Sequence, residues 1–116
     1  MLRAKNNKNN MRIFKKLIRD NMPEIMAAKG TPIHTRMLSD DAEFIAALEN
    51  KLLEEVQELR NKENPALVQI AYMEEILDAL MKAYKILPED VAAERKRKFE
   101  ERGGLEKRLF LEEESK

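Results

Sequence analysis

Cysteine and tryptophan are absent from this chain of 116 residues, histidine occurs once, and glycine only three times. Without a thiol there is neither a disulfide framework nor thiolate metal chemistry, which suits a reducing compartment. No glycine-rich loop of the Walker type is present, which excludes a P-loop enzyme. No apolar run approaches the ~20 residues that a membrane helix needs, and the N-terminus lacks the apolar centre of a signal peptide. A soluble, cytoplasmic protein with no membrane partner is the expectation. Nor is there an excess of either charge: Lys plus Arg and Asp plus Glu number 22 each. That balance argues against a nucleic-acid binder.

What is present is charge, at 38% of the residues, unevenly placed. Every charge from position 1 to 19 is basic, whereas 40–63 is mostly acidic. The length suits one domain with a modest core. Residues 1–10, rich in Asn and Lys, read as a flexible tail, 11–112 as a single helical domain, and 113–116 as a frayed end.

Along the chain, Pro23 fits the first turn of a short helix over 24–29 that Gly30 closes. Residues 31–38 alternate Ile33, Thr35 and Met37 with His34, Arg36 and Leu38, and so read as extended, with His34 an ordinary surface residue. Ser39-Asp40-Asp41 supplies an N-cap, and Phe44, Leu48, Leu52, Val56 and Leu59 then mark the apolar stripe of a helix to about Lys62. Asn64-Pro65 breaks the chain. Leu67, Ile70, Met73, Leu77, Leu80, Met81 and Tyr84 mark a second long helix ending before Pro88. So short a link makes the two helices an antiparallel hairpin. A third long helix opens at Pro88-Glu89-Asp90 and stops at Gly103-Gly104. The fold class is therefore all-α: an antiparallel helical bundle built on a helix hairpin, to which 31–38 and 105–111 could add a small two-stranded extension.

Two acidic turns stand out on this hairpin, Glu54-Glu55-Val56-Gln57-Glu58 and Glu75-Ile76-Leu77-Asp78. Each sets two carboxylates one turn apart on one helix face. In an antiparallel hairpin Glu55, Glu58, Glu75 and Asp78 can converge, and unpartnered they would repel. A cation would offset this. Hard oxygen donors, with no Cys or His in these helices, suit Mg2+ or Mn2+ better than zinc. Magnesium commonly shares its sphere with substrate phosphates, which makes phosphoanhydride chemistry the natural partner. Lys16 and Arg19 before the hairpin, and Lys107 and Arg108 after the double glycine, are available to hold a polyphosphate. Lys82, one turn beyond Asp78, either reaches the site or pairs with Asp78. Plain solvated carboxylates on a polar seam are the competing reading, which would make the chain a non-catalytic helical interaction module.

With these residues in hand, the sequence resembles the all-α nucleoside triphosphate pyrophosphohydrolase superfamily, which includes the MazG-like and phosphoribosyl-ATP pyrophosphohydrolase-like proteins. Glu54-Glu55-x-x-Glu58 followed by Glu75-x-x-Asp78 resembles the EExxE…ExxD signature. Lys16-Leu17-Ile18-Arg19-Asp20 with Pro23-Glu24-Ile25 is similar to the opening of one branch of small MazG-like proteins, and Arg102-Gly103-Gly104-Leu105-Glu106-Lys107-Arg108 to its ending. The resemblance implies Mg2+-dependent cleavage of a nucleoside triphosphate between the α and β phosphates, giving the monophosphate and pyrophosphate. It implies Glu55, Glu58, Glu75 and Asp78 as metal ligands, with Glu54 orienting water or a ligand group. Assembly as a homodimer or dimer of dimers is implied as well. Phosphoribosyl-ATP is the alternative substrate. Asn21 stands where the branch often has Lys, and Leu105 where it often has Phe; both bear on substrate identity and neither touches the carboxylates.

Overall fold

The computed structural model describes residues 5–6 and 12–115, with side chains from Phe14 onward. Its elements are two two-residue strands, β1 (Lys5–Asn6) and β2 (Arg12–Ile13), and four helices, α1 (Met22–Ala28), α2 (Asp41–Arg60), α3 (Ala66–Ala83) and α4 (Pro88–Arg102). The strands pair antiparallel, Lys5 with Ile13 and Asn6 with Arg12. Apart from Lys5 and Asn6, the tail expected over 1–10 lies outside the described residues. The other elements are all helices, as expected. Whereas the sequence reads as one domain over 11–112, the chain divides into two compact units, Met1–Tyr84 and Lys85–Lys116.

In the first unit each helix end has a local cause. Pro23 stands in the first turn of α1, where its missing N–H would be unpaired in any case. At the other end Gly30 adopts φ +80°, donating to Ala27 O while Thr31 N–H reaches back to Met26 O. These two bonds form a Schellman closure, which needs the left-handed residue that glycine supplies. The Asp40 side chain accepts from Ala42 N–H at 3.1 Å and caps α2. After α2, Asn61 Oδ1 accepts from Glu63 N–H and Pro65 stands at the N-cap of α3.

The core of this unit is the seam between α2 and α3, the one helix pair that packs extensively among the described residues. Leu48 and Ile76 are its buried apolar side chains. Both expected stripes meet the contact in part: Phe44, Leu52 and Leu59 on α2 and Met73, Leu80 and Met81 on α3 are half-buried, but each stripe also has exposed members. On α2, Val56 is exposed while Glu54 and Glu55 are buried. On α3, Gln69, Tyr72, Met73, Ala79, Leu80, Met81 and Ala83 are half-buried beside the buried Ile76. Leu67, at 79% exposure, and Ile70, Leu77 and Tyr84 stand outside. These four fall at 67, 70, 77 and 84, the spacing of a heptad seam, so α3 carries a second apolar stripe that its own unit does not cover.

The small two-stranded extension does not form. Among the described residues neither 31–38 nor 105–111 has a strand partner. The alternation in 31–38 is too weak to bury a face, with Met37 93% exposed. Arg36 instead bonds Glu43 in the first turn of α2. In 105–111 the chain turns at once, and Arg108 at φ +58° interrupts the extended run that a strand requires.

The second unit consists of α4 and the residues beyond its C-terminus. Pro88 opens the helix, and Glu89 and Asp90 lie in its first turn, where the helix dipole favours anions. Arg97 reaches both Glu94 and Glu101. Gly103, at φ +81°, ends it. The next glycine lies against Phe99, whose ring would stand 3.1 Å from any Cβ at Gly104.

Candidate functional site

The first acidic turn lies near the C-terminal end of α2 and the second in the latter half of α3. Glu54 and Glu55 are 6% and 5% exposed, unusual for carboxylates, which are rarely buried without partners. Glu55 Oε2 accepts from Gln69 Nε2 on α3 at 2.6 Å. Burial pushes the Glu55 carboxyl above the ordinary carboxylate range; Lys51 opposes the rise, and Glu54 and Glu58 add to it. Glu54 Oε2 is buried and accepts no hydrogen bond among the described residues. Lys51 Nζ stands 3.6 Å from it, close enough for an ion pair but beyond hydrogen-bond reach.

One turn on, Glu58 Oε2 accepts from Asn64 Nδ2 at 2.9 Å, and the same amide nitrogen donates to the Glu58 carbonyl. Asn64 thereby fastens the link to the end of α2. On α3, Glu75 is exposed and takes the Arg19 guanidinium at 2.8 Å, while Asp78 is exposed. Arg19 also lies over the Tyr72 ring, 5.0 Å from its centroid, and Lys51 approaches the same ring at 5.6 Å.

The expected metal quartet is therefore not gathered. Among the described residues no group of three or more His, Asp or Glu side chains is placed to hold a metal ion. Each of three carboxylates is drawn to a different partner: Glu55 to Gln69, Glu58 to Asn64, Glu75 to Arg19. Arg19, read as a phosphate ligand, thus reaches one of the four carboxylates. Lys16 is half-buried and lies 5.4 Å from the Phe14 ring centroid. Lys82 is exposed and forms no ion pair with Asp78 among the described residues. Lys107 and Arg108, also exposed, belong to the second unit.

Four residues that the acidic motifs do not name help build this region: Lys51, Asn64, Gln69 and Tyr72. Gln69 and Tyr72 precede Ile76 by seven and four positions, the spacing of one helix face, and a polar residue on that face signals a buried partner. Asn64 sits in a two-residue break and carries no such signal.

Comparison with known proteins adds little. No family model matches, and no solved structure matches. An uncharacterized protein of Mycolicibacterium smegmatis is 54% identical over 44 residues, a stretch covering 38% of this chain and 44% of that protein. The matched stretch thus spans less than half of either chain.

Proposed function

We propose that the chain is a Mg2+-dependent nucleoside triphosphate pyrophosphohydrolase of the MazG-like kind, acting as a homo-oligomer in the cytoplasm. The observation that carries this reading is the burial of Glu55 on α2, 5% exposed, with the half-buried Glu58 one turn on. Burying charge in this way is costly without a cation. The donor chemistry fits a hard dication, since carboxylate oxygens are the donors magnesium and manganese prefer. Glu55 and Glu58 on α2, with Glu75 and Asp78 on α3, would hold it. When bound, the metal neutralises charge on the phosphoryl oxygens and acidifies a water for attack. The chain's own part is to supply the charge that holds the metal and to position the phosphates. Arg19, already at Glu75, is set to exchange that carboxylate for a phosphate oxygen, and Lys16 lies on the same lead-in segment. No helix among the described residues is long and apolar enough to cross a membrane.

The test is pyrophosphate release from a panel of nucleoside triphosphates with Mg2+ or Mn2+. We expect activity in the parent chain and a loss of at least about a hundredfold in Glu55→Gln and in Asp78→Asn, the scale on which removing charge from such a site is felt. Activity unchanged in both variants overturns the assignment. A second reading, a non-catalytic interaction module, is favoured by the separate partners that the carboxylates already have. It predicts no hydrolysis and no rise in melting temperature with millimolar Mg2+.

A further inference from the structure

Between residues 15–17 and α2 lies a cavity of about 210 Å³, distinct from the expected metal quartet. None of Glu55, Glu58, Glu75 or Asp78 lines it. Its volume is below the ~300 Å³ at which pockets begin to hold whole drug-sized ligands, so it suits a single small ring. At its deep end stand the buried Glu54, whose Oε2 accepts no hydrogen bond among the described residues, and Lys51, 11% exposed, with Nζ 3.6 Å from that oxygen. Lys15 and Lys16, exposed and half-buried, line the same space, as does the Asn50 amide.

The chemistry of this lining narrows the ligand. Three lysines face two carboxylates, and Glu43 is already bonded to Arg36. A cation is therefore disfavoured. A simple anion is disfavoured at the deep end, where Glu54 needs a donor and can offer none. What satisfies both deep groups at once is an N–H adjoining a carbonyl: the carboxylate accepts from the first and the ammonium donates to the second. A charged or polyphosphate substituent would then extend toward Lys15 and Lys16.

We propose that this cavity binds a nucleobase by its lactam edge, Glu54 accepting the ring N–H and Lys51 donating to the neighbouring oxo group. The choice of a nucleobase among lactams rests on the pyrophosphohydrolase reading; the donor and acceptor pattern does not. Bases bearing an amino group there, adenine and cytosine, place an unprotonated ring nitrogen against the carboxylate, and two acceptors cannot bond. Leaving a buried polar group unpaired is disfavoured, and the expected discrimination is about tenfold.

The experiment titrates the full chain, with EDTA present so that no hydrolysis or metal site contributes, with the 5′-monophosphates of inosine and adenosine and of uridine and cytidine. Calorimetry or saturation-transfer NMR reads the affinities. We expect the oxo member of each pair to bind about tenfold tighter. In Glu54→Gln, whose amide can donate as well as accept, the preference falls to within about twofold. Ala46 lines the cavity and is exposed, so Ala46→Phe fills the space without disturbing the core and weakens all four ligands. Equal binding within each pair, no binding at all, or a preference that survives both substitutions overturns the proposal. Lactam preference without triphosphate hydrolysis leaves the cavity standing and sinks the pyrophosphohydrolase. Hydrolysis without lactam preference does the reverse.

Discussion

Glu55→Gln should melt a few degrees above the parent chain at neutral pH in EDTA, and the difference should vanish in acid. Burial raises the carboxyl of Glu55 in the folded chain, with Glu54 and Glu58 adding to the rise against the opposing pull of Lys51. The folded state therefore holds this proton more tightly than the unfolded state does. By linkage its contribution to stability falls as pH rises from the ordinary carboxylate value to the raised one, and the full penalty persists above that window. Glutamine carries no charge to desolvate and keeps an oxygen for the Gln69 amide, whose bond to Glu55 is 2.6 Å. Thermal melts from acid to neutral pH follow both chains; a variant no more stable than the parent at neutrality would show that the burial carries no penalty. Millimolar Mg2+ should narrow the gap by raising the parent alone. Stability gained and hydrolysis lost from one substitution is the pattern of a group kept for chemistry.

Self-association should be visible as a melting temperature that climbs with protein concentration, and Ile70→Glu with Leu77→Glu should abolish it. The apolar core of the described residues consists of two buried side chains, Leu48 and Ile76, too few for a unit of this size to gain stability alone. Meanwhile Leu67, Ile70, Leu77 and Tyr84 stand exposed at heptad spacing along α3. Each such side chain gains about 1.5–3 kcal/mol when fully covered. A second copy suits this face, because the chain has no net charge and two like stripes can pack about a twofold axis. A carboxylate at 70 and another at 77 would have to be buried in that contact, so the variant should sediment as a monomer and melt lower, independent of concentration. A parent chain that is monomeric at every accessible concentration contradicts the homo-oligomer.

Helix existence was legible because it rests on local signals: Asp40 as a cap, Pro65 as a break, Gly30 and Gly103 as stops. The phase of each helix was less so. α3 has apolar residues on two sides, and periodicity finds both stripes without saying which meets α2. The face chosen holds Gln69 and Tyr72, because a buried Glu55 needs a donor opposite it. On α2 the same cause turns Val56 out and Glu54 and Glu55 in. The pairing of 31–38 with 105–111 was misread because alternation reports two faces, not a partner. For the candidate site, spacing located the carboxylates on the hairpin but not the competition of Gln69, Asn64 and Arg19 for them.

Tyr72 is held between the Arg19 guanidinium and the Lys51 ammonium, and the sequence contains no tryptophan and one other tyrosine, Tyr84. Fluorescence excited beyond the absorption of the four phenylalanines therefore comes from these two rings. One of them is exposed, and the other lies near Arg19, which bonds Glu75, and Lys51, which lines the cavity. A phosphate that draws Arg19 off the ring, or a base that engages Lys51, changes the surroundings of that one emitter. The protein thus carries its own optical gauge of occupancy, with no label needed.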